Sequence, residues 1–156
     1  MQDERGNKMT KSRKIWLGAL CLVTLLWTAF IFSRSMQTGA ESSAASGRLT
    51  ALIRAILGGI PVSEYFVRKL AHFSEYAILS LPATSAALLV GRRWAFAAWG
   101  YALLVALCDE FVVQAMTAGR GPRITDVLID GAGALVGTVA LVVVWLLARR
   151  HSGKPL

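Results

Sequence analysis

Apolar residues in this chain come in long, nearly unbroken runs, with little of the alternation that would mark half-buried strands. Four runs stand out. Residues 15–32 carry no charge. Residues 70–90 are interrupted by His72 and Glu75, residues 94–116 by Asp109 and Glu110, and residues 127–148 by Asp130 alone. Each is close to the roughly 20 residues that a helix rising 1.5 Å per residue needs to cross a hydrocarbon core. Only helices and closed barrels satisfy their backbone in lipid. The pattern therefore predicts an all-α protein, an integral membrane four-helix bundle.

Between the first and second runs the pattern changes twice. Residues 33–47 are rich in Ser, Ala and Gly and read as a loop. Then Leu49, Leu52, Ile53, Ile56 and Leu57 recur at i, i+3, i+4, i+7 and i+8, with Arg48, Thr50 and Arg54 largely off that stripe. This predicts a short amphipathic helix, with Ser46 as N-cap and Gly58-Gly59 as its stop. Such a helix lies in the membrane interface or packs on the spans; the stripe suits either. Pro61 and Ser63 mark a break and a restart, so the second helix begins before its hydrocarbon segment.

Composition agrees with the runs. The chain has 156 residues, 55% hydrophobic and 17% charged, with a mean hydropathy of +0.54. Soluble domains carry about a quarter charged residues. The net charge of +8 would suit nucleic acid, but the basic residues form short clusters between apolar runs and line no polar face. They read as topology signals and lipid-headgroup contacts, and no nucleic acid is expected. With the N-terminus inside, Arg5, Lys8, Lys11, Arg13, Lys14, Arg92, Arg93, Arg149, Arg150 and Lys154 are cytoplasmic. Arg34, Arg48, Arg54, Arg68, Lys69, Arg120 and Arg123 fall outside. That bias predicts a basic cytoplasmic N-terminus over residues 1–14, a membrane domain over 15–148 and a basic cytoplasmic tail over 149–156. The first run, 18 residues long, exceeds the roughly 7–15 of a signal peptide's apolar region and reads as an uncleaved anchor. Cys21 and Cys108 sit inside apolar runs without a CxxC partner and read as small buried hydrophobes.

This topology gathers the intramembrane charges. His72 and Glu75 lie in the outer part of the second span, Asp109, Glu110 and Gln114 in the outer part of the third, and Asp126 and Asp130 at the start of the fourth. By helical rise, Glu75, Glu110 and Asp130 each lie roughly 5–10 Å inside the outer boundary. A charge at membrane depth costs about 2.5–3.5 kcal/mol on insertion scales, more if unpaired. Clustering lets them pair: Arg120 or Arg123 with Asp126 or Glu110, and His72 with a carboxylate. The spacings His72/Glu75, Glu110/Gln114 and Asp126/Asp130 put each pair on one helix face, and Arg68 extends the stripe of His72 towards water. Such a cluster is either a polar knot that glues helices or a functional site. The number of groups at one level favours the site.

Several chemistries fail on spacing. Di-metal bundles need Glu-x-x-His on two helices, and His72 is the only histidine outside the tail. A single metal on His72, Glu75 and Asp109 or Glu110 stays open, although neither metal nor cofactor is expected. Ser74 sits about 200° around the helix from His72, which is poor geometry for a nucleophile and its base. There is no P-loop and no dinucleotide fingerprint.

The polar residues also fall in recognisable blocks. Arg68-Lys69-Leu70-Ala71-His72-Phe73-Ser74-Glu75-Tyr76 resembles the RKxAHFxEY signature of the VanZ-like family. Asp109-Glu110-Phe111-Val112-Val113-Gln114 resembles its DExxQ segment. Gly119-Arg120, Asp126-Val127-Leu128-Ile129-Asp130, Gly133 and Gly137 resemble its closing block, and Phe32-Ser33, Glu41-Ser42 and Ser46-Gly47 the stretch after its first span. Val113 stands where many members have His. The resemblance adds Lys69 and Tyr76 to the candidate cluster. It implies a multi-pass protein of the bacterial inner membrane, in a family whose namesake is associated with low-level resistance to the glycopeptide teicoplanin. Three functions stay open. One is binding of an amphiphile (membrane lipid, lipid-linked cell-wall precursor or glycopeptide) with an effect on envelope or antibiotic susceptibility. Another is an intramembrane hydrolase or transferase with His72 or Glu75 as base and Arg120 on a phosphate or oxyanion. The third is a proton-coupled transporter, disfavoured because no polar stripe continues into the inner half of the bundle.

Overall fold

The computed structural model describes residues 9–151 and is all-helical over them. Arg5, Lys8 and Lys154 of the topology argument lie outside the described residues. Five helices follow one another: α1 Lys11–Ser35, α2 Gly39–Ile56, α3 Glu64–Val90, α4 Ala95–Cys108 and α5 Ile124–His151. A π-helical turn over Asp109–Val113 and a 3-10 turn over Gln114–Met116 prolong α4. The four segments Lys11–Ser35, Glu64–Val90, Arg92–Met116 and Ile124–His151 are long and apolar enough to cross a membrane.

Local chemistry sets the helix starts. Thr10 and Ser63 accept hydrogen bonds from the backbone N–H groups of Arg13 and Phe66 at the heads of α1 and α3. The head of α2 differs from the reading above. The stretch from residue 39 to 47 is helical, and the N-cap is Thr38 rather than Ser46. Thr38 Oγ1 accepts from the Glu41 N–H at 3.3 Å while Glu41 Oε2 accepts from the Thr38 N–H at 2.8 Å. This reciprocal capping box satisfies two orphan donors and outweighs the poor helix propensity of Ser and Gly. Close packing helps too, since the Gly39 N–H donates to the Ala118 carbonyl at 3.0 Å. The stop is as expected: Gly58 and Gly59 take φ of 66° and 88°.

The principal helix pair is α3 with α5, flanked by α1 and α4. Gly133 and Gly137, four apart on α5, make the pairing possible. A Cβ on Gly133 would lie 2.1 Å from the Phe73 carbonyl oxygen, and one on Gly137 2.2 Å from Ser80 Oγ. This is the small-residue approach by which membrane helices pack without a hydrophobic driving force. Polar stitches hold the flanks. Trp27 Nε1 donates to the Glu75 carbonyl at 2.9 Å and Trp99 Nε1 to the Gly131 carbonyl at 3.0 Å. Between the spans Ile31, Tyr76, Leu79, Ala102, Ala106 and Ala134 form the core, while Leu22, Leu26, Leu104, Leu128 and Val144 face outward as lipid-exposed residues do. Cys21 and Cys108 belong with this outer set. They are not buried in the core, because the run that carries each has faces to spare.

Helix α2 packs on α3 by its polar side, burying Ser42 and Thr50, and turns Leu49, Leu52, Ile56 and Leu57 away from the bundle. The apolar stripe is thus not the packing face. The end of the bundle that carries α2 also carries the loop joining α4 to α5, and the charged residues collect there.

Candidate functional site

The π turn builds the acidic side of the site. In a regular α-helix residues 109 and 114 would lie about 140° apart, so Gln114 could serve Glu110 but not Asp109. Closing an i→i+5 ring brings both under one amide. Gln114 Nε2 donates to Asp109 Oδ2 at 3.0 Å and to Glu110 Oε2 at 2.6 Å. Asp109 Oδ2 also accepts from Ser35 Oγ at 2.8 Å, tying the end of α1 to the turn. Asp109 and Glu110 are fully buried and Gln114 nearly so.

The other partners differ in part from those expected. Glu110 Oε1 accepts the backbone N–H of Arg123 at 2.5 Å, whereas the Arg123 side chain is exposed. Arg123 precedes α5 and its carbonyl takes the Asp126 N–H, so its own amide, not its guanidinium, points inward. Asp126 pairs with Lys69 rather than with an arginine. Arg120 bonds Ser42 Oγ at 2.6 Å and the Ser35 carbonyl at 3.3 Å and reaches no carboxylate among the described residues. The anticipated His–carboxylate pair does form: His72 Nδ1 lies 3.5 Å from Asp130 Oδ1. That distance is a close approach and not a made hydrogen bond.

Tyr76, one turn along α3 from His72, is fully buried. Among the described residues, six buried side-chain atoms lack a hydrogen-bond partner: His72 Nδ1, Tyr76 OH, Asp109 Oδ1, Arg120 Nε and both Asp130 oxygens. All six belong to this site. Native interiors leave few such atoms, and a local concentration marks a strained, catalytic or ligand-binding place. Two small cavities reach the cluster from the α2 end. One, of about 50 Å³, lies among Arg34, Ser42, Arg68, His72, Glu75 and Arg120. The other, of about 120 Å³, lies among Tyr65, Lys69, Gln114, Arg123 and Asp126, and shares Arg68, His72 and Arg120 with the first. Glu75, half-buried, faces the first cavity rather than lipid. Burial and the nearby guanidinium of Arg68 push Arg120 below its usual value, with Arg34 acting the same way and Asp109 and Glu110 opposing them.

The structure therefore brings together Arg68, Lys69, His72, Glu75, Tyr76, Asp109, Glu110, Gln114, Arg120, Asp126 and Asp130. It adds Arg34, Ser35 and Ser42, which the sequence reading left out of the cluster. Arg34 and Ser42 both had a signal: Arg34 is a cation just after an uncharged span, and Ser42 falls in the Glu41-Ser42 block of the resemblance, but the helix that turns Ser42 inward was not read from the sequence. No group of three or more His, Cys, Asp or Glu side chains among the described residues is arranged to hold a metal ion.

Neither curated proteins nor solved structures give a match to this chain. The family model described as VanZ/LLP1 matches residues 20–147, which takes in nearly all of the four spans and every residue of the polar site. The chain is a multi-pass membrane protein and belongs to the VanZ/LLP1 family.

Proposed function

We propose that the α2 end faces outward from a bacterial cytoplasmic membrane and binds an amphiphile there, with the polar cluster holding its head and lipid-exposed helices flanking its chain. The candidate ligands are a lipid headgroup, a lipid-linked cell-wall precursor and a glycopeptide such as teicoplanin. Binding would then modulate the envelope or antibiotic susceptibility. One observation carries the reading: unsatisfied buried polar atoms and two cavities coincide at one end of an otherwise apolar bundle. Helix glue alone would consume its hydrogen bonds internally and leave no cavity beside them. The exposed stripe of Leu49, Leu52, Ile56 and Leu57 supports an interfacial α2 beside the site.

Glu110→Gln tests this, since it keeps the shape and removes the charge; its oxygen can still accept from Arg123, while its NH2 meets Gln114 Nε2 and costs some stability. The variant and the wild type are expressed at equal levels in a bacterial host. Co-purifying lipid is measured by native mass spectrometry and teicoplanin susceptibility by growth. The reading predicts loss of retained amphiphile, and of any susceptibility shift, in variant protein that still folds and expresses. Unchanged retention and growth in a stable variant would refute it.

A further inference from the structure

Three arginines from three separate segments meet at the smaller cavity: Arg34 at the end of α1, Arg68 near the start of α3 and Arg120 in the α4–α5 loop. Among the described residues none of them is within ion-pair distance of a carboxylate. Arg68 Nη2 and Arg120 Nη2 both donate to the single hydroxyl of Ser42, at 2.8 and 2.6 Å. One neutral oxygen thus serves two guanidiniums while the Arg120 Nε, buried, has no acceptor. Glu75 and His72 are the other ionisable groups lining the cavity. Guanidinium groups hold five donors each in a fixed fork, so this corner has a surplus of donors and of positive charge. Burial most of all weakens the charged form of Arg120; Arg68 and Arg34 add to it, against the opposing pull of Asp109 and Glu110.

We propose that Arg34, Arg68, Arg120 and Ser42 form a binding site for one phosphoryl group, a phosphate monoester or diester. The inference rests on the amphiphile-binding reading and narrows it to phosphorylated ligands. The cavity of about 50 Å³ has room for a few water-sized groups, where one water needs about 10–15 Å³. It therefore fits a tetrahedral oxyanion and excludes a sugar or an acyl chain. Donors arriving from three separate segments suit the several oxygens of a phosphoryl group better than a two-oxygen carboxylate, and charge-assisted bonds from arginine to phosphate are among the strong ones. All three arginines lie at the helix-end level, where lipid phosphates lie in a bilayer.

The phosphoryl group could belong to a lipid headgroup or be free phosphate, and two probes separate these. The full-length protein is titrated in neutral detergent with inorganic phosphate, with acetate at equal ionic strength as control. It is also placed in phosphatidylcholine nanodiscs containing phosphatidic acid, and retained lipid is read by native mass spectrometry. The site predicts phosphate binding without acetate binding, and enrichment of phosphatidic acid over phosphatidylcholine. Arg34→Gln, Arg68→Gln and Arg120→Gln should each weaken binding by about tenfold or more. Arg68→Lys, which keeps charge and loses the fork, should weaken it less and serves if a Gln variant does not fold. Binding of phosphatidic acid identifies the headgroup as the source, and binding of inorganic phosphate alone identifies the free anion. Arginine substitutions that leave both probes unchanged, or equal binding of acetate, overturn the site. If that happens while Glu110→Gln still abolishes amphiphile retention, the phosphoryl site fails and the broader reading stands. If the arginines control phosphate binding and Glu110→Gln changes nothing, the reverse holds.

Discussion

Gln114 shows how much one side chain can hold. Its amide is shared by two fully buried carboxylates, and among the described residues no other donor reaches Glu110 Oε2. Gln114→Leu leaves the volume nearly intact and strips that donor from both, so it should destabilise the bundle by about 3 kcal/mol. Thermal unfolding in detergent checks this; a shift no larger than that of a lipid-facing control such as Leu104→Ala would contradict it. The identity of the buried residues was legible in the sequence, because charges inside apolar runs are costly and must be sheltered. Their partners were not. Arg123 answers Glu110 with its backbone amide, and Lys69 rather than an arginine takes Asp126, since partner choice depends on turn geometry that residue types do not encode.

Among the helices, the least legible in sequence was α2. Ser42, Ser43, Ser46 and Gly47 argue for a loop on propensity, and Thr38-x-x-Glu41 argues for a helix start on capping; capping won because the helix also packs against α3. Thr38→Ala should cost about 1 kcal/mol of local stability and increase amide exchange over the first turns of α2 without melting the spans. The capping bonds from Thr38 hold the Glu41 carboxyl below its ordinary value. A carboxyl depressed in the folded state lends stability above its unfolded value and loses it as pH falls through the folded one. Protection of this turn, corrected for intrinsic exchange, should therefore be full at neutral pH and fall on acidification. A Thr38→Ala background, which keeps the backbone N–H but loses the hydroxyl, should shrink that response in part. The π turn was equally hidden: DExxQ spacing shows Glu110 and Gln114 on one face, but nothing in residue type announces the extra residue that turns Asp109 in beside them. By contrast the glycines of α5 carry a plain meaning. Gly133→Ala puts a methyl into the Phe73 carbonyl and should cost about 3 kcal/mol, whereas Gly18→Ala, with open space around it, should stay within about 0.5 kcal/mol.

For the whole molecule, the apolar runs yielded the four spans because hydrocarbon thickness imposes a length on any helix that crosses it. The clustering of charge at one end followed from alternating direction of the spans. Direction itself is a separate claim, resting on the Lys/Arg bias. Single-cysteine variants at position 43 on α2 and position 92 between α3 and α4, in a background lacking Cys21 and Cys108, check it in intact cells. Membrane-impermeant maleimide should label position 43 and spare position 92. Labelling of 92 alone would invert the molecule.

The central claim is that the polar end of the bundle holds the head of an amphiphile. An experimental structure of the full-length protein in lipid nanodiscs, resolved well enough to show headgroups, tests it most directly. The account predicts headgroup density within hydrogen-bonding reach of Arg68, His72 and Arg120, with its acyl chain leaving between lipid-exposed helices. Cavities closed by Arg68 and Arg120 turning onto Glu75 and Glu110, with lipid density only along the apolar flanks, would contradict it.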